Sequence, residues 1–151
     1  MATWAEFEAA APEIAAVGRA LLERHNLAYL ATVRRDGSPR LHPVCPFILE
    51  GRLLVSTPPS SPKAGDQMRD GRYVIHMLPG ENDDEFSVRG RAALITDVAF
   101  KERAGEHAHY VRMEDCLFAY DIEEAHTAYW VNVGQPGTYP VRRRWAERTP
   151  P

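Results

Sequence analysis

The sequence predicts a mainly β protein, folded as a small closed or partly open barrel of six or seven antiparallel strands with flanking helices. Three observations support this prediction. Short strand-like segments follow one another between residues 27 and 133, tight-turn signals separate the first of them, and the strand-helix alternation of a doubly wound fold is absent. One domain spanning 1–151 is expected, with helices in 1–25 and an extended tail in 135–151.

Two helices are predicted at the N-terminus. Thr3 and Glu6 have the spacing of a capping box, which marks a helix start. The residues that follow are rich in Ala, Glu and Leu, but Pro12 interrupts them because proline cannot donate a helical hydrogen bond. We therefore expect a first helix ending near Ala10 and a second over 12–25, with an apolar stripe of Ile14, Val17, Leu21 and Leu22.

Three strands connected as an antiparallel meander are predicted next. Segments 27–33 and 39–49 are apolar and β-branched, and they flank a turn whose Asp36-Gly37 pair favours a β-hairpin. A second turn at Glu50-Gly51 leads into a third strand over 53–57. These turns predict that the three strands lie side by side in chain order.

The rest of the chain predicts helices over 62–70 and 100–110, separated by further strands. The strand segments are 73–78, 85–97, 116–122 and 127–133. Segment 85–97 alternates apolar and polar residues with period two, which is typical of a half-buried strand. The acidic loop 79–84 and the proline-rich tail are predicted to be poorly ordered.

Segment 55–63 combines a hydroxyl-rich strand end, a helix start and a lysine. Ser61 is a suitable N-cap, and Pro62 occupies the first helical position, where its missing N–H costs nothing. The positive end of the helix dipole and the charge of Lys63 would face the hydroxyls of Ser56, Thr57, Ser60 and Ser61. The pattern predicts a binding site for a phosphate monoester, and an ordinary Ser-Pro loop with a solvated lysine is the alternative interpretation.

Composition disfavours several classes of partner and site. The 18 basic and 21 acidic residues give a net charge of −3, which disfavours electrostatic binding to nucleic acid or membrane surfaces. Cys45 and Cys116 are too few for a disulfide framework, and no metal site is predicted because His107 and His109 would point away from each other on a helix. The sequence has no signal-peptide pattern and no apolar stretch long enough to span a membrane, so a cytoplasmic location is expected.

Five segments together carry a family resemblance: 27–33, 36–44, 54–57, 61–64 and 88–92. Their residues, order and spacing closely resemble the pyridoxamine 5'-phosphate oxidase-like family of FMN-binding split barrels. The resemblance implies a split β-barrel with Greek-key and meander connections. It also implies a homodimer with two cofactor sites at the subunit interface, and FMN held by its phosphate at the strand-to-helix corner.

The resemblance also implies individual site residues. It implies that the ligands of the FMN phosphate are Ser56, Thr57, Ser61 and Lys63. Its strand facing the isoalloxazine ring contains His42, Pro43 and Val44, and His42 is expected to tune the flavin or orient a substrate. Gln67 shares a helix face with Lys63 and could reach the same ligand. No side chain is assigned a catalytic role.

The function that the resemblance implies is an FMN-dependent oxidoreductase, which passes hydride through flavin N5 to a small-molecule acceptor. The chain lacks the longer Arg-rich strand pattern of true pyridoxamine phosphate oxidases, so pyridoxamine phosphate is not the expected substrate. Two alternatives stay open. One is an F420-dependent reductase of the same fold, with a basic path formed by Arg34, Arg35 and Arg40. The other is a non-catalytic flavin- or haem-binding protein.

Overall fold

The computed structural model describes residues 1–147, in which four helices pack against one curled antiparallel sheet of eight strands. The helices are α1 (Trp4–Ala10), α2 (Pro12–His25), α3 (Pro62–Arg69) and α4 (Val98–His107). The strands are β1 (Ala28–Val33), β2 (Pro39–Val44), β3 (Phe47–Leu49), β4 (Arg52–Thr57), β5 (Arg72–Met77), β6 (Glu85–Leu94), β7 (Cys116–Val131) and β8 (Tyr139–Ala146). The predicted split-barrel fold is confirmed. Residues 148–151 of the predicted tail lie outside the described residues.

The two N-terminal helices have the predicted bounds because their ends are encoded locally. The Thr3 backbone N–H donates to Glu6 Oε2 at 2.7 Å, and the Glu6 backbone N–H donates to Thr3 Oγ1 at 3.3 Å, which completes the capping box. Pro12 then begins α2, and Asn26 ends it in the left-handed conformation with φ 47°. Both helices bury their apolar faces against the sheet.

The predicted meander is right in its two hairpins, β1–β2 and β3–β4, but wrong in taking 39–49 as one strand between them. The sheet order is β2-β1-β5-β6-β7-β4-β3, so β2 and β3 lie at opposite edges and β4 pairs with β7. The predicted strand 39–49 is interrupted between Val44 and Phe47, where Pro46 has no N–H to offer to a ladder. Only Cys45 and Pro46 join the two edges, and that link spans at most about 11 Å. The sheet must therefore curl until its edges approach each other, which produces an incompletely closed barrel.

Strand β7 is longer than predicted, since segments 116–122 and 127–133 belong to one strand. The intervening acidic residues do not break it, because Arg89 and Arg144 both pair with Glu124 and their hydrogen bonds lower its pKa to about 2. A bulge between Arg89 and Gly90 bends β6 alongside. Gly90 is required there, since a Cβ would lie 2.0 Å from the carbonyl oxygen of Asp121.

Residues 139–146, which the sequence predicts as part of a poorly ordered tail, form β8 and pair with the C-terminal half of β7. The Trp145 ring lies 5.1 Å from that of Phe7, and Arg143 pairs with Glu13 of α2. Packing against the N-terminal helices thus fixes a segment whose prolines and arginines alone do not predict a strand. Among residues 1–147, no helix is long and apolar enough to cross a membrane.

Two apolar clusters occupy the two faces of the sheet. The larger lies inside the curl beneath α1 and α2, with Trp4, Phe7, Phe86 and Phe118 fully buried. The smaller lies beneath α4 and includes Phe47, Leu54, Phe100 and Leu117. Side chains alternate between the clusters along β4, so Val55 faces the larger and Leu54 the smaller. This alternation decides which hydroxyls meet at the end of β4.

Candidate functional site

The candidate site is the corner where β4 ends at Thr57 and α3 begins at Pro62. The backbone turns between them, with the Ser61 N–H donating to the Pro58 carbonyl at 2.9 Å. Ser61 has the extended backbone of an N-cap, but its side chain does not cap the helix, contrary to the prediction. Its Oγ instead accepts a hydrogen bond of 3.2 Å from Lys63 Nζ. The first turn of α3 therefore keeps N–H groups without a side-chain acceptor.

Lys63 is a partly buried cation without a carboxylate partner in the part of the chain that the structure describes. Its ammonium donates to the Ser61 hydroxyl, and burial lowers its pKa. By contrast, Lys101, the second lysine of the chain, donates to the carbonyls of Met113 and Asp115. A partly desolvated ammonium at a helix N-terminus attracts anions, because neither water nor a paired carboxylate neutralises its charge.

The structure separates Ser56 from Thr57, although the sequence predicts both as phosphate ligands. Thr57 is fully buried on the inner face of the sheet, and its Oγ1 has no hydrogen-bond partner within residues 1–147. Ser56 lies on the opposite face, and its Oγ donates to Asp115 Oδ2 at 2.8 Å. A buried hydroxyl without a partner is uncommon in folded proteins. Thr57 therefore remains a candidate ligand, whereas the hydroxyl of Ser56 is already engaged.

His42 lies on the inner face of β2, and its buried Nε2 has no partner among the described residues. Burial lowers the pKa of His42, and the charges of Lys63 and Arg40 lower it further. His42 is therefore mainly neutral at pH 7, and it lies close enough to Lys63 for that positive charge to lower its pKa. The sequence predicts this side chain at the isoalloxazine ring, and that role stays a prediction; the structure shows only that the charge of Lys63 reaches it.

The two neighbours of His42 that the sequence predicts at the ring do not share its surroundings. Pro43 is exposed on the outer face of β2. Val44 shares the inner face with His42 but is buried in the larger apolar cluster. The period of two along the strand explains this division.

Gln67 is another predicted ligand whose polar atoms are already used. It is only 3% exposed, and its Nε2 donates to the Lys63 carbonyl at 3.1 Å. Its Oε1 accepts a hydrogen bond from the buried hydroxyl of Tyr120. Gln67 therefore ties α3 to β7, and each polar atom of its amide already has one partner in the chain.

The sequence does not predict the buried carboxylate of Asp66, which lies one helical turn after Lys63. Asp66 is 4% exposed and accepts hydrogen bonds from Thr32, Arg40 and Arg69. Burial raises the pKa of Asp66, but these hydrogen bonds outweigh it, so the pKa lies below its ordinary value. Asp66 and Arg40 are separated by 26 residues, and no local pattern predicts their pairing. Arg40, predicted for the basic path, is thus engaged.

The neutral state of His42 predicts how stability depends on pH. Because its pKa is lower in the fold than the ordinary value of 6.5, the unfolded chain binds more protons as the pH falls below 6.5. The free energy of unfolding should therefore decrease between pH 6.5 and the lowered pKa, and His42→Gln should lose less stability over that interval. Urea denaturation of both proteins at pH 7.5 and pH 5.5 measures the difference. Equal losses in the two proteins would contradict the assignment.

The chain is similar to proteins of a known family. The model of the pyridoxamine 5'-phosphate oxidase family matches residues 15–134. No curated protein matches the chain.

Three solved structures illustrate the likeness of fold. A Clostridium acetobutylicum protein related to general stress protein 26 of B. subtilis, of the pyridoxinephosphate oxidase family, has a TM-score of 0.61 at 12% identity, covering 82% of this chain and 90% of that one. A heme binding protein from Mycobacterium smegmatis has a TM-score of 0.64 at 16% identity, covering 86% and 58%. A NimC/NimA family protein from Clostridium acetobutylicum has a TM-score of 0.60 at 20% identity, covering 85% and 94%.

Proposed function

The chain belongs to the pyridoxamine 5'-phosphate oxidase family, and from this premise we propose that it binds FMN at the corner between β4 and α3 and acts as an oxidoreductase. The observation that supports this proposal most is Lys63, a partly buried ammonium held by a serine hydroxyl at the start of a helix. A phosphate monoester would supply the negative charge that the described residues do not offer to Lys63.

The groups around Lys63 match the chemistry of a phosphate. Thr57 Oγ1 and His42 Nε2 have no hydrogen-bond partner among the described residues, and both can donate to a phosphate oxygen. The Ser61 hydroxyl already contacts Lys63, and the backbone N–H of Lys63 in the first turn of α3 adds a further donor, since Pro62 has no N–H and the Ala64 N–H donates to the Ser61 carbonyl. The fit thus rests on one full charge, several donors and no competing carboxylate at Lys63 itself.

The protein's part in the proposed reaction is binding and orientation. FMN, when bound, would supply the redox chemistry, passing hydride from a reduced nicotinamide donor through N5 to a small acceptor. Lys63 would anchor the phosphate, and neutral His42 would help to fix it. No proton transfer by a side chain of this chain is needed for such a role.

Haem binding without turnover is the second candidate function. A neutral imidazole with a free Nε2 is the form in which histidine ligates haem iron, and His42 has both properties. One structure of similar fold belongs to a protein named as heme binding. In this alternative, Lys63 would contact a haem carboxylate in place of a phosphate.

Absorbance spectra after incubation with FMN, F420 or haemin and removal of free ligand separate these functions. The proposal expects a retained flavin spectrum, followed by oxidation of NADH or NADPH when a quinone or nitro compound is added. A retained Soret band without a retained flavin would reject FMN in favour of haem. A retained flavin without turnover would leave FMN binding and reject the oxidoreductase activity.

We also propose that the protein is a homodimer that associates through the outer face of β1, β2 and β5. Tyr29 is 43% exposed, Leu41 64% and Val74 41%, and the register places Leu41 and Val74 on either side of Ala31. A contiguous apolar patch of this kind on a sheet is typical of an interaction surface. Trp145 packs on Phe7 of its own chain and stays partly exposed.

The dimer proposal predicts the effect of a charge on this patch. Leu41→Asp should convert a dimer of twice 17.0 kDa into a monomer, because association would bury an unpaired carboxylate. Light scattering at micromolar concentration measures the mass. Thr138→Asp, at the exposed β7–β8 connection, serves as a control and should remain dimeric. A monomeric wild type would contradict the proposal.

A further inference from the structure

Asp66 joins three elements around the proposed phosphate end of the site. Its Oδ2 accepts hydrogen bonds from Thr32 Oγ1 of β1 at 3.1 Å and from Arg40 Nε of β2 at 2.6 Å. Thr32 and Arg40 are directly opposite each other in the β1–β2 register. One carboxylate oxygen on α3 therefore binds a cross-strand pair of the hairpin.

The other oxygen of Asp66 completes the attachment. Its Oδ1 accepts a hydrogen bond of 3.1 Å from Arg69 Nη2, and the same nitrogen donates to the Val33 carbonyl at 2.7 Å. The helix is thus joined to the last two residues of β1, Thr32 and Val33. With Asp66 buried and all three side-chain donors paired to it, this is a specific connection of low conformational freedom.

We propose that Asp66 is a positioning residue, which latches α3 onto the β1–β2 hairpin and thereby fixes Lys63 relative to His42. Lys63 lies one helical turn before Asp66 on α3. His42 lies two residues after Arg40 on the same face of β2. The two phosphate-binding groups therefore stand on the two elements that Asp66 joins. The contacts of Asp66 are observed in the structure, and their effect on FMN binding rests on the proposed function.

Coulomb attraction alone predicts that Asp66→Asn binds FMN more tightly, whereas loss of the latch predicts weaker binding. Asp66→Asn removes a negative charge near the site and releases Arg40, and both changes favour an anion. If Asp66 acts by position, the loss of the ion pairs should instead weaken FMN binding. We expect Kd to rise about tenfold, as when residues that orient the ligands of a metal are replaced.

Asp70→Asn is a matched control. Asp70 directly follows α3 and pairs with Arg72 at 2.6 Å, but that pair is far more exposed and joins neither β1 nor β2. The control removes the same charge just past the C-terminal end of the helix that carries Asp66. We expect its Kd for FMN to equal that of the wild type.

Two measurements test the latch. Amide hydrogen exchange of the protein without FMN should become faster in 39–44 and 62–69 for Asp66→Asn and stay unchanged for Asp70→Asn. FMN titration should then show weaker binding by Asp66→Asn alone. Unchanged exchange would overturn the latch, and unchanged or tighter FMN binding with faster exchange would overturn the positioning role. If the wild type bound no FMN, the proposed function would fail, and exchange alone would decide whether the latch exists.

Discussion

Replacement of Lys63 by Ala should weaken FMN binding by roughly 1.5–3 kcal/mol, the usual net contribution of a hydrogen bond to a charged group, which is about 10- to 150-fold in Kd. The ammonium has no carboxylate partner in residues 1–147, so its removal leaves no carboxylate unpaired and should change stability little. Quenching of FMN fluorescence during titration measures Kd, and urea denaturation measures stability.

Lys101→Ala provides a control of the same residue type. Lys101 of α4 donates through Nζ to the carbonyls of Met113 and Asp115, on the face of the sheet opposite to Thr57 and His42. Its replacement should lower stability through the loss of these hydrogen bonds and leave the Kd for FMN unchanged. Equal FMN affinity in Lys63→Ala and the wild type would show that the phosphate is bound elsewhere.

Replacement of Phe86 by Ala should lower the free energy of unfolding by about 3–5 kcal/mol, as is typical when a buried aromatic residue leaves a cavity. The Phe86 side chain is fully buried, and its ring lies 6.0 Å from that of Trp4 and 6.3 Å from that of Phe7. It joins both N-terminal helices to β6. Urea denaturation followed by circular dichroism measures the loss.

Gly18 provides an internal check on this prediction. A Cβ at Gly18 of α2 would lie 2.5 Å from the Phe86 ring, so Gly18→Ala alone should be destabilising. In the Phe86→Ala protein the same substitution should cost less or even stabilise, because the methyl group enters the cavity. Tyr139→Ala, which removes an aromatic side chain that is 52% exposed, should change stability by less than about 0.5 kcal/mol. Additive effects of the Gly18 and Phe86 changes would contradict the described packing.

Elements with local signals could be predicted from the sequence. The capping box of Thr3 and Glu6 and the position of Pro12 are sufficient to give the bounds of α1 and α2. The sheet order could not be predicted, because the pairing of β4 with β7 depends on contacts between residues about 60 positions apart. The two tight turns keep β1 beside β2 and β3 beside β4, but the break at Pro46 places these two hairpins at opposite edges of the sheet.

In the candidate site, too, contacts between near neighbours in sequence could be predicted and contacts between distant residues could not. Ser61 and Lys63 lie together because they are two residues apart at one helix start. The hydroxyl pattern predicts Ser56 together with Thr57, but adjacent residues of a strand face opposite sides, and Ser56 instead donates to Asp115. The hydrogen bonds of Gln67 and Asp66 depend on Tyr120 and on the β1–β2 hairpin, which are distant in sequence. Such pairings follow from the sheet topology and could not be read from local spacing.

Binding of the FMN phosphate at the β4–α3 corner is tested by comparing FMN with riboflavin, which lacks the phosphate. Titrations of the wild type and of Lys63→Ala with both flavins give four dissociation constants. We expect the wild type to prefer FMN by at least about tenfold, and Lys63→Ala to lose most of this preference while its affinity for riboflavin is unchanged. Equal wild-type affinities for the two flavins, or an FMN preference that survives in Lys63→Ala, would contradict binding of the phosphate at this corner.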